Sequence, residues 1–102
     1  MGKLSRDKGA RSERRIVNYL IEHGFDAKRT APLQTYKSNG AADILADDLK
    51  IEVKARANGF KQIFQWLEED DNDVLVLIAD RKPPVVVLPL KEWCAVMKGE
   101  KE

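Results

Sequence analysis

The sequence has very few of the side chains on which many metal sites and catalytic triads depend. Its 102 residues include one cysteine, Cys94, and one histidine, His23. A single cysteine excludes an internal disulfide and a zinc site built from several cysteines. A single histidine excludes histidine-pair metal sites within the chain and argues against a His-based triad. Any catalysis must therefore come mainly from carboxylates and amines.

The sequence also lacks a long apolar run. No stretch approaches the roughly 18 continuous apolar residues of a membrane-spanning helix. Residues 1–10 are charged and have no apolar centre of the kind found in a secretory signal. A length of 102 residues corresponds to one domain. We therefore predict a single domain over residues 1–102 and a soluble, cytoplasmic protein.

The balanced total charge conceals an asymmetry along the chain. Lysine and arginine number 18 against 17 aspartates and glutamates, a net charge of +1. Residues 1–40 hold nine basic and four acidic residues, a net charge of +5, whereas residues 41–102 hold nine and thirteen, a net charge of −4. Such a division indicates either a polyanion-binding end or a well-solvated basic helix. Charge alone does not decide between them.

Hydrophobic spacing and breaker residues divide the chain into three helices and five strands. Residues 74–79 form a continuous apolar run, as expected of a central strand buried on both faces. The order α-β-β-β-α-β-β-α indicates a central mixed β-sheet flanked by helices. The predicted elements are a helix over 8–23, strands over 24–29, 41–46 and 49–55, a helix over 60–67, strands over 74–79 and 85–88, and a helix over 90–98, with a polar loop over 30–40.

The candidate chemistry lies on the two strands around residues 43–54. Side chains alternate between the faces of a strand, so Glu52 and Lys54 share one face. If Ala46 pairs with Leu49 in a hairpin, Asp43 stands opposite Glu52, with Cβ atoms about 4.5–5.5 Å apart. The register is the decisive assumption, because a one-residue slip moves the partner to the other face. Two opposed carboxylates repel each other, which favours a compensating divalent metal ion.

Two carboxylates and a lysine are the groups that a metal-dependent phosphodiesterase needs. Hard oxygen ligands select Mg²⁺, with Mn²⁺ as a substitute, over softer metals. The metal polarises the phosphoryl group and acidifies its bound water. Lys54 is suited to orient that water or to stabilise developing charge. Taken alone, the alternation is weak evidence, because any half-exposed strand shows it.

Glu13 is a third candidate acid. It stands three residues before Ile16 and four before Val17, and so extends the apolar stripe of the first helix. A carboxylate on that stripe is costly when it is buried without a partner. This favours a place in the site over the alternative, an exposed acid of the first turn stabilised by the helix dipole.

These residues resemble the signature of a known class of enzyme. Glu13, Asp43 and the triplet Glu52-Val53-Lys54 are similar to the motif of the PD-(D/E)xK nuclease superfamily. Within it, residues 8–17, KGARSERRIV, resemble the opening helix of archaeal-type Holliday junction resolvases, and the likeness covers about residues 8–97. The resemblance implies a restriction-endonuclease-like α/β fold. It also implies that Asp43, Glu52 and the Val53 carbonyl bind the metal, that Lys54 is the catalytic lysine, and that Glu13 is an auxiliary acid.

The sequence departs from this family pattern around Asp43. Ala42 precedes it where the family often has proline, and the spacing from Asp43 to Glu52 is short. Asp47 and Asp48 are therefore alternative ligands, although both are better suited to the turn of the hairpin.

Basic residues flank the candidate site in the sequence. A carboxylate cluster repels DNA phosphates, so a nuclease needs cations that hold the backbone. The loop over 30–40, which includes Tyr36 and Lys37, is suited to wrap around distorted DNA. The alternative role for Tyr36 is that of a half-buried side chain that anchors the loop. No helix-turn-helix or zinc finger is visible, which favours recognition of backbone shape over base sequence. The predicted DNA-binding residues are Arg6, Lys8, Arg11, Arg14, Arg15, Arg29, Tyr36, Lys37 and Arg56.

The leading hypothesis is a Mg²⁺-dependent endonuclease that cleaves branched DNA, above all four-way junctions, in a prokaryotic cell or a phage-infected host. Symmetric cutting of a junction requires two active sites, which predicts a homodimer. One alternative is a nuclease of the same fold that acts on nicked, flapped or linear DNA. The others are a non-catalytic DNA-binding module and a structural domain whose acidic hairpin is merely exposed to solvent.

Overall fold

The computed structural model describes residues 3–30 and 42–99, and side chains within these ranges except those of residues 3–8 and 70. The α/β class is confirmed, and the helices and strands of the described residues follow one another in the predicted order. No helix among these residues is long and apolar enough to cross a membrane. The elements are α1 (Lys3–Glu22), β1 (Ala27–Arg29), β2 (Ile44–Ala46), β3 (Leu49–Ile51), α2 (Lys61–Glu68), a 3₁₀ turn (Glu69–Asp71), β4 (Leu75–Leu77), β5 (Val85–Val87) and α3 (Leu90–Lys98).

The chain divides into two compact units, residues 1–55 and residues 56–102. The first unit contains α1 and the strands β1 to β3, and the second contains α2, β4, β5 and α3. The single domain predicted over residues 1–102 stays a prediction.

In the first unit, α1 packs against an antiparallel sheet with the strand order β1-β2-β3. Leu20 of α1 and Ile44 of β2 are fully buried, and Phe25, Ala27 and Ala46 complete this core. The core therefore joins the second half of the helix to the first two strands. This packing holds β2, the strand that Asp43 directly precedes.

A glycine cap ends α1 and turns the chain into β1. Gly24 has φ 96°, a left-handed conformation that glycine adopts without steric cost. The Phe25 amide donates to the Leu20 carbonyl at 2.9 Å, and the Gly24 amide donates to the Ile21 carbonyl at 3.1 Å. These two bonds define a Schellman motif, which satisfies carbonyls at the helix end.

The β2–β3 hairpin has the register that the sequence predicts: Ile44 pairs with Ile51, Leu45 with Lys50, and Ala46 with Leu49. Its two turn residues, Asp47 and Asp48, both have positive φ, 51° and 72°. Positive φ at both positions is the requirement of a type I′ turn, and aspartate tolerates it better than most residues. The Asp47 amide and carboxylate also bond to the backbone of Asp26, at 3.0 and 2.8 Å, which anchors the turn against the start of β1.

The second unit corrects one expectation about burial. Its strands β4 and β5 form a two-stranded antiparallel sheet in which Val76 pairs with Val86. Val76 and Ile78 are 56% and 78% exposed, so the prediction of a strand buried on both faces is wrong. The two residues are two apart and share a face of the strand, and this face is the uncovered one. The described strands thus pair as two antiparallel sheets and not as one mixed sheet.

Candidate functional site

Asp43 lies directly before β2 and is held from both sides. Its carbonyl accepts hydrogen bonds from the Thr30 amide at 3.0 Å and from the Thr30 hydroxyl at 3.3 Å. Its carboxylate Oδ2 accepts a hydrogen bond from the Val53 amide at 2.8 Å. The β2–β3 ladder ends at Ile51, so this carboxylate takes the place of a strand carbonyl. The acid is therefore fixed at the peptide that joins Glu52 to Val53.

Glu52 and Lys54 form an ion pair just beyond β3. Lys54 Nζ lies 3.0 Å from Glu52 Oε2, and the two side chains are 60% and 52% exposed. A pair with this exposure adds little to stability. Both groups are therefore accessible to water, to a cation and to a phosphate.

Glu13 lies on the packed face of α1, as its spacing predicts, and it has a cationic partner. Arg29 Nε donates to Glu13 Oε1 at 2.9 Å, with the two side chains 23% and 16% exposed. This charge-assisted bond offsets the cost of removing the carboxylate from water. Among the described side chains, no three acids, histidines or cysteines are grouped closely enough to hold one ion. Glu13 is thus not clustered with Asp43 and Glu52, and its role as an auxiliary acid stays a prediction.

The oxygen donors of Asp43, Glu52 and Val53 are of the chemical type that a hard divalent cation prefers. One Asp43 oxygen is bonded to the Val53 amide, which leaves the other oxygen, the Glu52 carboxylate and the Val53 carbonyl as donors. Mg²⁺ commonly uses one or two protein carboxylates and completes its shell with waters and phosphate oxygens. The alternative ligands lie at the far end of the hairpin: Asp47 bonds to the Asp26 amide, and Asp48 is the second residue of the turn.

The predicted DNA-binding arginines of the first unit have two different environments. Arg11, Arg14 and Arg15 are exposed, and their spacing places them on one face of α1. Arg29, by contrast, is engaged by Glu13. The three helix arginines therefore present a row of positive charge, whereas Arg29 first serves a contact within the protein.

Arg56 belongs to the second unit, where its side chain packs beside Gly59. A Cβ atom on that glycine would stand 2.6 Å from the Arg56 Cβ, so only glycine permits this approach. The remaining predicted contacts lie outside the described part of the chain. They are the side chains of Arg6 and Lys8 and the loop residues Tyr36 and Lys37.

Sequence reasoning missed Thr30, which it assigned to the polar loop over 30–40. The sequence carries no local signal for its role, because that role follows from the register of β1 against β2. Pairing of Arg29 with Ile44 places the next residue, Thr30, beside Asp43. Thr30, the residue directly after β1, thus supports the candidate acid.

The fold and the arrangement of Asp43 with the Glu52-Val53-Lys54 triplet define a class, the nucleases of the PD-(D/E)xK superfamily. The family model described as archaeal Holliday junction resolvase (Hjc) matches residues 4–79 of the chain. The chain therefore belongs to the Hjc family of Holliday junction resolvase nucleases. Comparisons with curated proteins and with solved structures gave no match.

Proposed function

We propose that the protein is a Mg²⁺-dependent endonuclease that resolves four-way DNA junctions. The observation that carries this proposal is the hydrogen bond from the Val53 amide to the Asp43 carboxylate. It ties one acid to the Glu52-Val53-Lys54 triplet in a chain of this family. A fixed carboxylate beside an exposed glutamate and lysine is suited to hold a cation and a phosphodiester together.

Asp43, Glu52 and the Val53 carbonyl are the residues that would bind Mg²⁺. The ion supplies Lewis-acid polarisation of the phosphoryl group and a more acidic bound water. Asp43 needs little further ordering, because one of its oxygens is already held by a backbone amide. Lys54, now paired with Glu52, is the group that would orient the attacking water or stabilise charge on the phosphate.

The exposed arginines of α1 would hold the DNA backbone. Arg11, Arg14 and Arg15 lie on one helix face, and phosphate contacts of this kind give affinity without reading base sequence. Their row of charge compensates for the repulsion between the acidic site and the DNA. Selectivity for junctions then rests on the shape of the backbone.

Resolution of a junction requires two cuts, and we infer a homodimer that supplies two sites. Three large apolar side chains of the second unit, Trp66, Val76 and Ile78, are exposed in the single chain and line one open groove. Such a surface is commonly an interaction site. Light scattering should then report twice the mass of the chain, and a monomer that cuts both strands symmetrically would contradict this inference.

Cleavage assays on a four-way junction, a flap and a linear duplex, with Mg²⁺ or EDTA, test the proposed activity. We expect metal-dependent cleavage of the junction, reduced about 100-fold or more by Glu52→Gln and by Lys54→Ala. Asp48→Asn is the matched control, because it neutralises a carboxylate of the same hairpin in the turn, and it should keep its activity.

The outcomes separate the proposed function from its alternatives. Cleavage in EDTA, or full activity of Glu52→Gln, would falsify the proposed mechanism. Equal cleavage of flap or linear DNA would indicate a nuclease of this fold with another target. Binding of the junction without cleavage would indicate a DNA-binding module.

A further inference from the structure

Thr30 contacts the segment that carries Asp43 through both its backbone and its side chain. Its amide donates to the Asp43 carbonyl at 3.0 Å. Its hydroxyl contacts the carbonyls of Ala42 and Asp43, so one hydroxyl proton is shared between two neighbouring acceptors. Any residue except proline can donate the backbone hydrogen bond at this position. The contacts with the Ala42 and Asp43 carbonyls, in contrast, require a side-chain hydroxyl group.

The position of Asp43 makes this support consequential. The Cα pairing of β2 with β3 begins at Ile44 and Ile51, so Asp43 stands just outside that ladder. Its carbonyl is held by Thr30 on one side, and its carboxylate is held by Val53 on the other. Loss of the Thr30 hydroxyl would loosen the backbone that aims the carboxylate at the Val53 amide.

We propose that Thr30 is a positioning residue of the candidate metal site. Its hydroxyl fixes the Ala42–Asp43 backbone, and this sets the Asp43 carboxylate against the Val53 amide in the orientation in which it serves as a ligand. The role in metal binding rests on the proposed function. The placement of Asp43 does not, because it is measurable in the protein without any ion.

Two substitutions at Thr30 separate the hydroxyl from the shape of the side chain. Thr30→Val keeps the branched shape and the amide but removes the hydroxyl, and Thr30→Ser keeps the hydroxyl. We expect hydrogen exchange at the Val53 amide, followed by NMR, to become about two- to tenfold faster in Thr30→Val, the change that corresponds to one hydrogen bond. Mn²⁺ affinity, measured by electron paramagnetic resonance, should fall by a similar factor. In Thr30→Ser, both the Val53 exchange rate and the Mn²⁺ affinity should stay close to those of the wild type.

Asp47→Ala is the matched control for general loosening of the sheet. It removes the carboxylate that accepts from the Asp26 amide, at the other end of the same strands, and keeps the backbone bond from the Asp47 amide. It should lower the melting temperature without changing Val53 exchange or Mn²⁺ affinity. If the Thr30→Val protein does not fold, Thr30→Ala provides a second variant that lacks the hydroxyl group.

Unchanged exchange at Val53 in a folded Thr30→Val protein would overturn the proposal, whatever the metal data show. Equal effects of Asp47→Ala and Thr30→Val would also overturn it, because the role of Thr30 would then be general stabilisation. If wild-type protein binds no Mn²⁺ while Val53 still responds to Thr30→Val, the metal site fails and the placement of Asp43 by Thr30 stands.

Discussion

The contact between Glu13 and Arg29 changes the interpretation of both residues. In the sequence one is a candidate site acid and the other a candidate phosphate ligand. In the structure the guanidinium donates to the carboxylate at 2.9 Å, and both side chains are largely buried. The two residues are sixteen positions apart, on α1 and β1, so spacing along the chain gives no sign of their contact. Partner choice at this scale depends on tertiary packing.

The stability of this ion pair can be measured with a double-mutant cycle. We predict that Arg29→Gln lowers the free energy of unfolding in urea by about 1.5–3 kcal/mol, because it leaves the Glu13 carboxylate without its charged donor. Adding Glu13→Gln should recover part of this loss, with a coupling energy above ~0.5 kcal/mol. Lys28→Gln, an exposed neighbour on β1, is the control and should stay within about 0.5 kcal/mol of wild type. Strictly additive effects of the two substitutions would contradict an energetic coupling between Arg29 and Glu13.

Two glycines, one within α1 and one just beyond its end, allow a prediction about a whole helix. Gly24 ends the helix with φ 96°, where a side chain is strained, and Gly9 lies within it, where an added Cβ would meet nothing within 4 Å. Gly24→Ala should therefore destabilise the protein by about 1–2 kcal/mol. Gly9→Ala should stabilise it by about 0.5–1 kcal/mol, since alanine has the higher helix propensity. Thermal unfolding measures both, and shifts of the same sign would refute this account of the helix.

The hairpin was predictable from the sequence because two local rules agree. Alternation of the apolar Ile51, Val53 and Ala55 with Glu52 and Lys54 sets the faces, and a two-residue turn sets the register. The exposure of β4 was not predictable in this way. A continuous apolar run such as residues 74–79 specifies a strand, but it does not specify which of its faces receives a neighbour within the unit. The β1 register, and with it Thr30, also depends on packing between elements distant in the chain.

Across the whole molecule, the charge asymmetry has a structural counterpart. The basic half of the sequence contributes α1, whose Arg11, Arg14 and Arg15 are exposed on one face. The acidic half begins with the β2–β3 hairpin, which Asp43 precedes and Glu52 follows. In the proposed complex this division has a purpose, because the cations of α1 would hold phosphates that the carboxylates of the candidate site repel. Family motifs therefore identified the class of enzyme, while the geometry distinguished exposed cations from an engaged one.

Salt dependence of junction binding tests that distinction. Each protein–phosphate contact contributes about −0.9 to the slope of log K against log salt concentration. Arg14→Ala should therefore flatten the slope by roughly one unit, because this exposed side chain contacts phosphate in the proposed complex. Arg29→Gln should leave the slope unchanged, since the guanidinium is occupied by Glu13. Binding is measured with Ca²⁺ in place of Mg²⁺ to suppress cleavage. Equal flattening by both variants would show that Arg29 releases Glu13 and binds the DNA backbone, as its sequence position first indicated.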